Sequence, residues 1–389
     1  MRIEPYEIAI PQAQVDDLRE RLRLTRLPDA LDGVGWGWGT DPEFLRDAIA
    51  HWADGFDWRA QEARLNAVPQ FTARLDRGDV HFLHVVGAGP RTMPLLLSHG
   101  WPGSFAEMMA VIPLLTTHNQ LTDELGLTFD LVVPSLPGFG FSSRPQRPGA
   151  SPAVVAEMFH ELMLGLGYRT YGVQGGDLGA GISMRLGLEH PEAVIGVHTN
   201  FPSFGYDGAG LAPDKEASRA ADARRAAWLK EEGGYSHLHA TRPQTVGAAL
   251  NDSPAGLAAW ILEKFHAWSD RGGSDAMPFD LDELLTTVSI YWFTETITSS
   301  MRIYRESAAD PLVLSADRRI GVPFGVAAFP FELPTQPRER VEQVTDLVRW
   351  ADMPSGGHFA ALEEPALLAR EVLTFFAEVL EARSSTVGG

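Results

Sequence analysis

The stretch Gln174-Gly175-Gly176-Asp177-Leu178-Gly179-Ala180 decides the fold of this 389-residue chain. The apolar run Tyr171–Gln174 before it is typical of a buried strand, and a helix is predicted over 179–190. Glycines on both sides of Asp177 allow a tight turn between the strand and the helix. Two interpretations of the aspartate follow from this stretch alone: a helix N-cap, or a reactive carboxylate held at the turn.

Short apolar runs alternate with helical stretches on both sides of this turn. The predicted strands cover 81–86, 94–98, 131–135, 171–174, 194–199, 322–329 and 347–351. The predicted helices between and after them cover 104–116, 151–167, 179–190 and 365–380. This alternation predicts an α/β fold, with a mostly parallel sheet flanked by helices. The strands are rich in Val, Ile and Leu without alternation, which fits burial of both their faces.

Residues 205–310 interrupt the alternation of strands and helices. Their pattern predicts a helical cap inserted into the sheet domain. The helix-like segments there cover 213–232, 245–250, 251–269 and 281–305, and Asp252-Ser253-Pro254 is typical of a helix start. The α/β core would then consist of two parts, residues 79–204 and 311–389. Residues 1–78 are predicted to form a largely helical arm that packs on core and cap. The aromatic turn Gly35-Trp36-Gly37-Trp38-Gly39 is expected to serve this packing rather than to bind a ligand.

The bulk composition excludes several classes of partner and of chemistry. The formal net charge is −19, whereas nucleic acids and anionic membrane surfaces require basic patches. The chain has no cysteine, so disulfides, thiolate zinc sites and a cysteine nucleophile are excluded. No apolar run approaches the roughly 20 residues that span a bilayer, and no secretory signal is recognisable. We therefore expect a soluble cytoplasmic protein without metal or cofactor, and leave a homodimer open.

A second motif lies where this architecture would place a partner for Asp177. His99-Gly100-Trp101-Pro102-Gly103-Ser104 directly follows the predicted strand 94–98. In the α/β-hydrolase fold, this loop and the residue after the nucleophile donate backbone N–H groups to an oxyanion. The predicted donors are therefore the N–H groups of Trp101 and Leu178. An ordinary strand-to-helix loop is the alternative interpretation.

A third motif, Gly356-Gly357-His358-Phe359, lies between the last predicted strand and the closing helix. The α/β-hydrolase fold requires the chain order nucleophile, acid, histidine, and Asp177 and His358 satisfy it. Three carboxylates could be the acid: Glu332, Glu339 and Asp346. Of these, Glu332 is best placed, because it closely follows the predicted strand 322–329. Glu339 and Asp346 could instead be plain surface charges.

Ordered motifs along almost the whole chain resemble those of the microsomal-type epoxide hydrolase family. They are HGWPGS at 99–104, DLVVPSLPGFGFSSRP at 130–145, QGGDLGA at 174–180, LNDSPAGLAAWILEKF at 250–265, MRIYRES at 301–307, FPFE at 329–332 and GGHFAALEEP at 356–365. The resemblance implies an α/β-hydrolase fold that converts an epoxide to a vicinal diol. It implies Asp177 as the nucleophile, with Glu332 and His358 as charge-relay partners. It also implies that Tyr304 and Tyr235, in the cap, protonate the epoxide oxygen.

The chemistry implied by the resemblance explains an aspartate at the turn. A carboxylate attacks an sp³ carbon to form an alkyl ester, which water activated by His358 can then hydrolyse. A serine would form an ether, which the same histidine could not cleave. Glu332 would orient the imidazole, and a tyrosine supplies a proton without ionising at neutral pH. Ten tryptophans and 20 phenylalanines favour a bulky apolar or aromatic epoxide, and a role in natural-product biosynthesis is implied by resemblance alone.

Two departures from the family and three competing interpretations remain. The family usually has tryptophan where this chain has Leu178, which leaves the amide but removes an aromatic wall. The animal members carry an N-terminal membrane anchor, whereas this chain begins at the arm, so it is expected to resemble a soluble bacterial relative. A haloalkane dehalogenase and a non-catalytic ligand-binding relative are the alternatives in function. His237 and His239 could be metal ligands, although alternating exposure in an extended segment also explains their spacing.

Overall fold

The computed structural model describes residues 1–213 and 215–387, which contain one large sheet and one small sheet. The strands are β1 (Arg2–Pro5), β2 (Gln70–Leu75), β3 (Gly78–Val85), β4 (Thr92–Ser98), β5 (Thr128–Pro134), β6 (Tyr171–Gly175), β7 (Val194–Thr199), β8 (Gly205–Tyr206), β9 (Val313–Leu314), β10 (Ile320–Ala328) and β11 (Thr345–Asp352). The nine-stranded sheet has the order β1-β2-β3-β5-β4-β6-β7-β10-β11, and β8 pairs with β9. Strands β5, β4, β6, β7, β10 and β11 run parallel to one another.

Helices cover the faces of this sheet and form most of the inserted region. They are α1 (Gln12–Arg23), α2 (Pro42–Asp54), α3 (Trp58–Asn66), α4 (Val111–Thr116), α5 (Gln120–Leu125), α6 (Pro152–Gly165), α7 (Asp177–Glu189), α8 (Glu216–Glu232), α9 (Gly234–Thr241), α10 (Pro243–Leu250), α11 (Pro254–Ala267), α12 (Leu281–Thr294), α13 (Ile297–Ala309), α14 (Arg338–Val344), α15 (Ala360–Glu363) and α16 (Pro365–Val387). Two 3₁₀ helices cover Gly35–Trp38 and Phe105–Ala110. The predicted mostly parallel α/β fold is confirmed.

Strand β4 shows why an apolar run without polar residues at alternate positions predicts a central strand of the sheet. Leu95, Leu96 and Leu97 are all fully buried, although successive side chains of a strand point to opposite faces. Both faces of β4 are therefore covered, as expected of a central strand in a parallel sheet. Its neighbours β5 and β6 run parallel to it, so the loops after β4 and β6 meet at one edge of the sheet. That edge carries the candidate site.

The prediction of a largely helical arm over residues 1–78 is wrong for two stretches, Arg2–Pro5 and Gln70–Leu75. Strands β1 and β2 extend the sheet beyond β3 by antiparallel pairing. β1 has an exposed side-chain pattern throughout, so no apolar periodicity could reveal it. Its pairing with β2, almost 70 residues later in the chain, holds it in place. The proposed boundaries at residues 78, 204 and 310 stay predictions.

The predicted helix 281–305 is in fact two helices. The chain leaves α12 at Glu295, which adopts the left-handed conformation with φ of 52°. The hydroxyl groups of Thr294 and Thr296 lie 2.7 Å apart at this break. Threonine hydroxyls that find such local partners compete with helical hydrogen bonding, which accounts for a break inside a helix-like pattern.

The segment that contains His237 and His239 is helical, not extended as predicted. It forms α9, in which Tyr235 and His239 are buried and His237 is exposed. Residues four apart in a helix share a face, whereas residues two apart do not. His237 and His239 therefore face different sides of α9 and do not form a pair of metal ligands. Helix α9 lies between Gly233 and Pro243 and is too short for a helical periodicity to be recognised in the sequence.

Several contacts join the N-terminal arm to the cap. His51 Nε2 lies 2.6 Å from Asp282 Oδ1, and Trp52 Nε1 donates a 2.9 Å hydrogen bond to Ser289 Oγ. Trp36 stacks on the His266 ring, with ring centroids 3.8 Å apart. The aromatic turn thus packs the arm on the cap, as expected. Among the described helices, none combines the length and apolar character needed to cross a bilayer.

Candidate active site

Asp177 lies at the sharp turn between β6 and α7 in a strained backbone conformation. Its φ of 48° is in the left-handed region, which residues other than glycine rarely adopt. Gly176 is the N-cap of α7, and no side chain caps this helix. The alternative interpretation of Asp177 as an N-cap is therefore wrong. Its side chain is free of that role, and strain of this kind is typical of functional turns.

Glycines make this turn possible because the backbones of three segments approach one another closely. A Cβ atom on Gly175 would lie 2.3 Å from the carbonyl oxygen of Gly179, and one on Gly179 would lie 2.2 Å from that of Ser98. Both contacts are with backbone atoms, which cannot move aside as a flexible side chain could. The glycines therefore hold Asp177 against the loop that follows β4.

We expect Gly179→Ala to destabilise the protein by at least about 2 kcal/mol, because its Cβ would collide with the backbone of β4. Gly181→Ala is the matched control in the same helix, since a Cβ there meets nothing within 4 Å. Alanine in an open helix interior should stabilise the fold by about 0.5–1 kcal/mol. Urea unfolding midpoints at constant slope measure both effects. Equal effects of the two substitutions would contradict this account of the turn.

The loop after β4 donates a backbone hydrogen bond to the Asp177 carboxylate. Trp101 N lies 2.8 Å from Asp177 Oδ1. Leu178 follows Asp177 in the first turn of α7, where backbone N–H groups have no partner within the helix. The structure thus places one predicted oxyanion donor on the carboxylate, and the role of the Leu178 amide stays a prediction.

His358 lies between Asp177 and Glu332. Its Nε2 is 3.5 Å from Asp177 Oδ2, and its Nδ1 is 2.5 Å from Glu332 Oε1. The backbone N of Leu333 also donates to Glu332 Oε1, at 2.7 Å, which fixes the carboxylate. Of the three candidate acids, Glu332 is the one that the structure brings to His358. Chain order and loop position were enough to predict that Asp177, His358 and Glu332 come together. The distances between their side chains could not be predicted from the sequence.

The two carboxylates set the charge of the histidine. Burial alone would lower the pKa of His358, but the negative charges of Glu332 and Asp177 and their hydrogen bonds raise it well above its usual value. The imidazolium is therefore strongly stabilised at this position. Once the charge of Asp177 is removed, as in an ester, part of this stabilisation is lost, the pKa of His358 falls, and more of the histidine is the neutral imidazole that can accept a proton.

The cap places two tyrosines over this group. Tyr235 in α9 stacks on the Trp101 ring at 5.1 Å, and the Tyr304 ring in α13 is 5.8 Å from the Tyr235 ring. Burial, followed by the negative charge of Asp177, raises the pKa of Tyr235 above the usual value. Burial also raises the pKa of Tyr304 well above its usual value, and the neighbouring Tyr235 phenol and Asp177 carboxylate add to this shift. Both phenols therefore keep their protons at neutral pH.

The sequence did not place two buried groups, Glu107 and His239, at this site. Glu107 accepts a hydrogen bond from Ser104 N at 2.8 Å, and burial raises its pKa to about 8. It lines a cavity of about 30 Å³ together with Asp177 and His358. His239 contacts the Tyr304 ring at 4.9 Å, and burial lowers its pKa to about 3. The capping-box spacing Ser104-x-x-Glu107 was the available signal for the glutamate.

One group of side chains has metal-like spacing, far from Asp177. Ligand atoms of His160, His190 and Glu192 lie within 4.8 Å of one another, at the end of α7 opposite to Asp177. The centroids of the two imidazole rings are 3.8 Å apart and the ring planes differ by 7°, so the in-plane lone pairs lie in nearly parallel planes and do not converge on one point. His190 Nε2 and Glu157 form a hydrogen bond of 2.8 Å. The group is a hydrogen-bonded stack without the convergence that a metal ion requires.

The fold and this arrangement define an α/β hydrolase with a carboxylate at the nucleophile position. Residues 3–108 match the family model described as epoxide hydrolase N terminus, and residues 93–250 match that of the alpha/beta hydrolase fold. Juvenile hormone epoxide hydrolase 1 of Ctenocephalides felis is 38% identical, over 96% of this chain and 85% of its own length. Epoxide hydrolase 1 of Sus scrofa is 36% identical, over 96% of this chain and 88% of its own length.

A solved structure agrees with the sequence relatives. The juvenile hormone epoxide hydrolase of the silkworm Bombyx mori superimposes with a TM-score of 0.88 at 32% identity, over 98% of this chain and 96% of that one. The chain belongs to the microsomal-type epoxide hydrolase family. Its reaction class is thus the hydrolysis of an epoxide.

Proposed function

We propose that this protein hydrolyses an epoxide in two steps through a covalent ester on Asp177. The observation that carries the proposal is the continuous contact from Trp101 N through Asp177 and His358 to Glu332. It joins a nucleophile, an oxyanion donor, a base and an acid in the geometry that ester hydrolysis requires.

In the first step, a carboxylate oxygen of Asp177 attacks one epoxide carbon. The carbon–oxygen bond of the ring breaks, and the departing oxygen takes a proton from Tyr304 or Tyr235. The raised pKa values of these phenols keep the protons available at neutral pH, and both rings lie over the loop of Trp101. The product of this step is a hydroxyalkyl ester of Asp177, and the phenol is later reprotonated from solvent.

In the second step, His358 takes a proton from water, which attacks the carbonyl carbon of the ester. The oxyanion forms on the side chain of Asp177, where Trp101 N already donates a hydrogen bond. Glu332 holds Nδ1 of the histidine and stabilises the imidazolium that results. Collapse of the intermediate breaks the ester bond, and the departing oxygen takes the proton of the His358 imidazolium, which releases the diol and the neutral imidazole. The carboxyl group left on Asp177 gives its proton to solvent, which restores the carboxylate.

A single turnover in ¹⁸O-water with enzyme in excess tests this mechanism. The first diol should contain no ¹⁸O, because its new oxygen comes from Asp177, and the label should appear in the Asp177 side chain. Label in the first diol would show direct attack by water and would contradict the covalent step. Release of halide from chloroalkanes, without diol formation from epoxides, would instead identify a dehalogenase.

The aromatic character of the site supports a bulky apolar or aromatic epoxide. Trp101, Tyr235 and Trp268 form a continuous ring cluster beneath the cap, with Tyr235 5.1 Å from each indole. A panel of styrene-oxide-like and aliphatic epoxides, scored by chiral chromatography of the diols, tests this preference. A role in natural-product biosynthesis, a cytoplasmic location and a homodimer stay predictions.

We expect Tyr304→Phe and Tyr235→Phe each to lower kcat/KM by about 10- to 100-fold, and the double substitution to lower it further. Each substitution removes one proton donor and leaves the packing of the ring. Steady-state diol formation measures the effect, and Tyr6→Phe in the N-terminal arm is the control. An unchanged kcat/KM for the double variant would contradict the role of the tyrosines.

A further inference from the structure

The cap and the loop of His358 are joined by backbone hydrogen bonds. The loop that follows α11 accepts a 3.0 Å hydrogen bond from His358 N at the carbonyl oxygen of Trp268. Asp270, in the same cap loop, accepts one from Gly356 N at 3.2 Å. The base of the second step is therefore supported from the cap as well as by Glu332.

Glu363 adds a two-sided link between these loops. Its Oε1 accepts a 2.9 Å hydrogen bond from Phe359 N, the residue after His358, and its Oε2 accepts a 2.7 Å bond from Asp270 N in the cap. Each carboxylate oxygen thus holds one loop. Burial raises the pKa of Glu363 to about 7, although the two N–H donors oppose this shift. Two backbone N–H groups point at the two oxygens of this one side chain, so both oxygens must act as acceptors.

The same contact explains the glycine before His358. A Cβ atom on Gly357 would lie 2.8 Å from the carbonyl oxygen of Trp268, 3.0 Å from Asp270 N and 3.1 Å from Glu363 Oε2. The cap loop and the glutamate therefore pack directly against the backbone that carries the imidazole. Trp268 also contacts the rings of His358 and Tyr235, at 5.3 and 5.1 Å.

We propose that Glu363 is a positioning residue that fixes His358 against the cap loop for hydrolysis of the ester. This inference rests on the proposed function of Asp177 and His358. The orientation of the imidazole depends on the backbone of residues 357–359, which Glu363 and the cap loop hold from one side. Ring opening does not use His358 as a base, so loss of this link acts on the second step.

Glu363→Gln separates the two steps. A glutamine offers one acceptor, and its NH₂ group would face a backbone N–H donor, so one of the two loops is released. We expect kcat to fall about tenfold or more, KM to fall in parallel, and kcat/KM to stay within about threefold. The reason is that kcat/KM reports the steps up to ester formation. Rapid quenching and mass spectrometry should show the ester accumulating on Asp177.

Two further variants serve as the control and as an independent test of the link through Glu363. Glu364→Gln is the matched control, because the adjacent carboxylate bonds to the hydroxyl of Ser355 and not to the backbone of either loop. Gly357→Ala retains Glu363 but crowds the cap loop, and should reproduce the fall of kcat and KM. Circular dichroism and thermal unfolding confirm that each variant is folded.

Two outcomes overturn the inference. One is a fall of kcat/KM as large as that of kcat, and the other is unchanged kinetics in Glu363→Gln and Gly357→Ala. His358→Gln distinguishes these outcomes from failure of the proposed function. If that variant accumulates an ester on Asp177 and Glu363→Gln does not, the role of Glu363 alone is wrong. If neither accumulates an ester, the covalent mechanism itself is wrong.

Discussion

Asp177→Asn should lower kcat at least about 10⁴-fold, the largest loss expected of any single substitution in this chain. The amide cannot attack an epoxide carbon, so no ester forms. Its oxygen can still accept the hydrogen bond from Trp101 N, which lies 2.8 Å from Oδ1 in the native protein. Asparagine also tolerates the left-handed φ of 48° better than alanine would. The variant should therefore fold normally and fail only in the first step.

Diol formation under steady-state conditions measures this loss, and thermal unfolding verifies the fold. Asp346→Asn is the control, since Asp346 is an exposed residue of β11 and was one of the alternative acids. Its kcat should stay within about twofold of the wild type, because surface substitutions have small effects. Residual turnover of Asp177→Asn above about one per cent would contradict a nucleophilic role.

Much of the core and the chain order of the site could be predicted because each signal was local. A short apolar run such as 94–98, rich in leucine and followed by a glycine-containing loop, is typical of a buried strand, and Asp177 and His358 lie in glycine-flanked loops. Parallel strands then bring the loops at their carboxyl ends to one edge of the sheet. The three dispersed motifs consequently meet without any further information from the sequence.

The features that escaped prediction depend on contacts between distant residues. Strand β1 has no buried side chain and is defined by its pairing with β2. The link through Glu363 joins residues 270 and 359, which no spacing connects. In the sequence, Glu107 has the spacing of a local capping box with Ser104. Its position beside the cavity of Asp177 and His358 results from tertiary packing. Local patterns predict elements, whereas the supports around a site arise from tertiary contacts.

His358→Gln should stop the reaction after the first step and trap the ester. Glutamine cannot take a proton from water, whereas Asp177 and the cap tyrosines remain in place for ring opening. We expect one molecule of epoxide to bind covalently per active site, and kcat to fall at least about 10³-fold. The mass of the protein should rise by the full mass of the epoxide, because the addition has no leaving group.

Intact-protein mass spectrometry measures this increase, and peptide mapping should locate it on Asp177. His237→Gln is the matched control, because His237 is exposed on the surface of the cap helix α9. That control should turn over normally and carry no adduct. The double variant with Asp177→Asn should also carry none, since it lacks the attacking oxygen. An adduct on another residue, or diol formation by His358→Gln at the wild-type rate, would contradict the assignment of nucleophile and base.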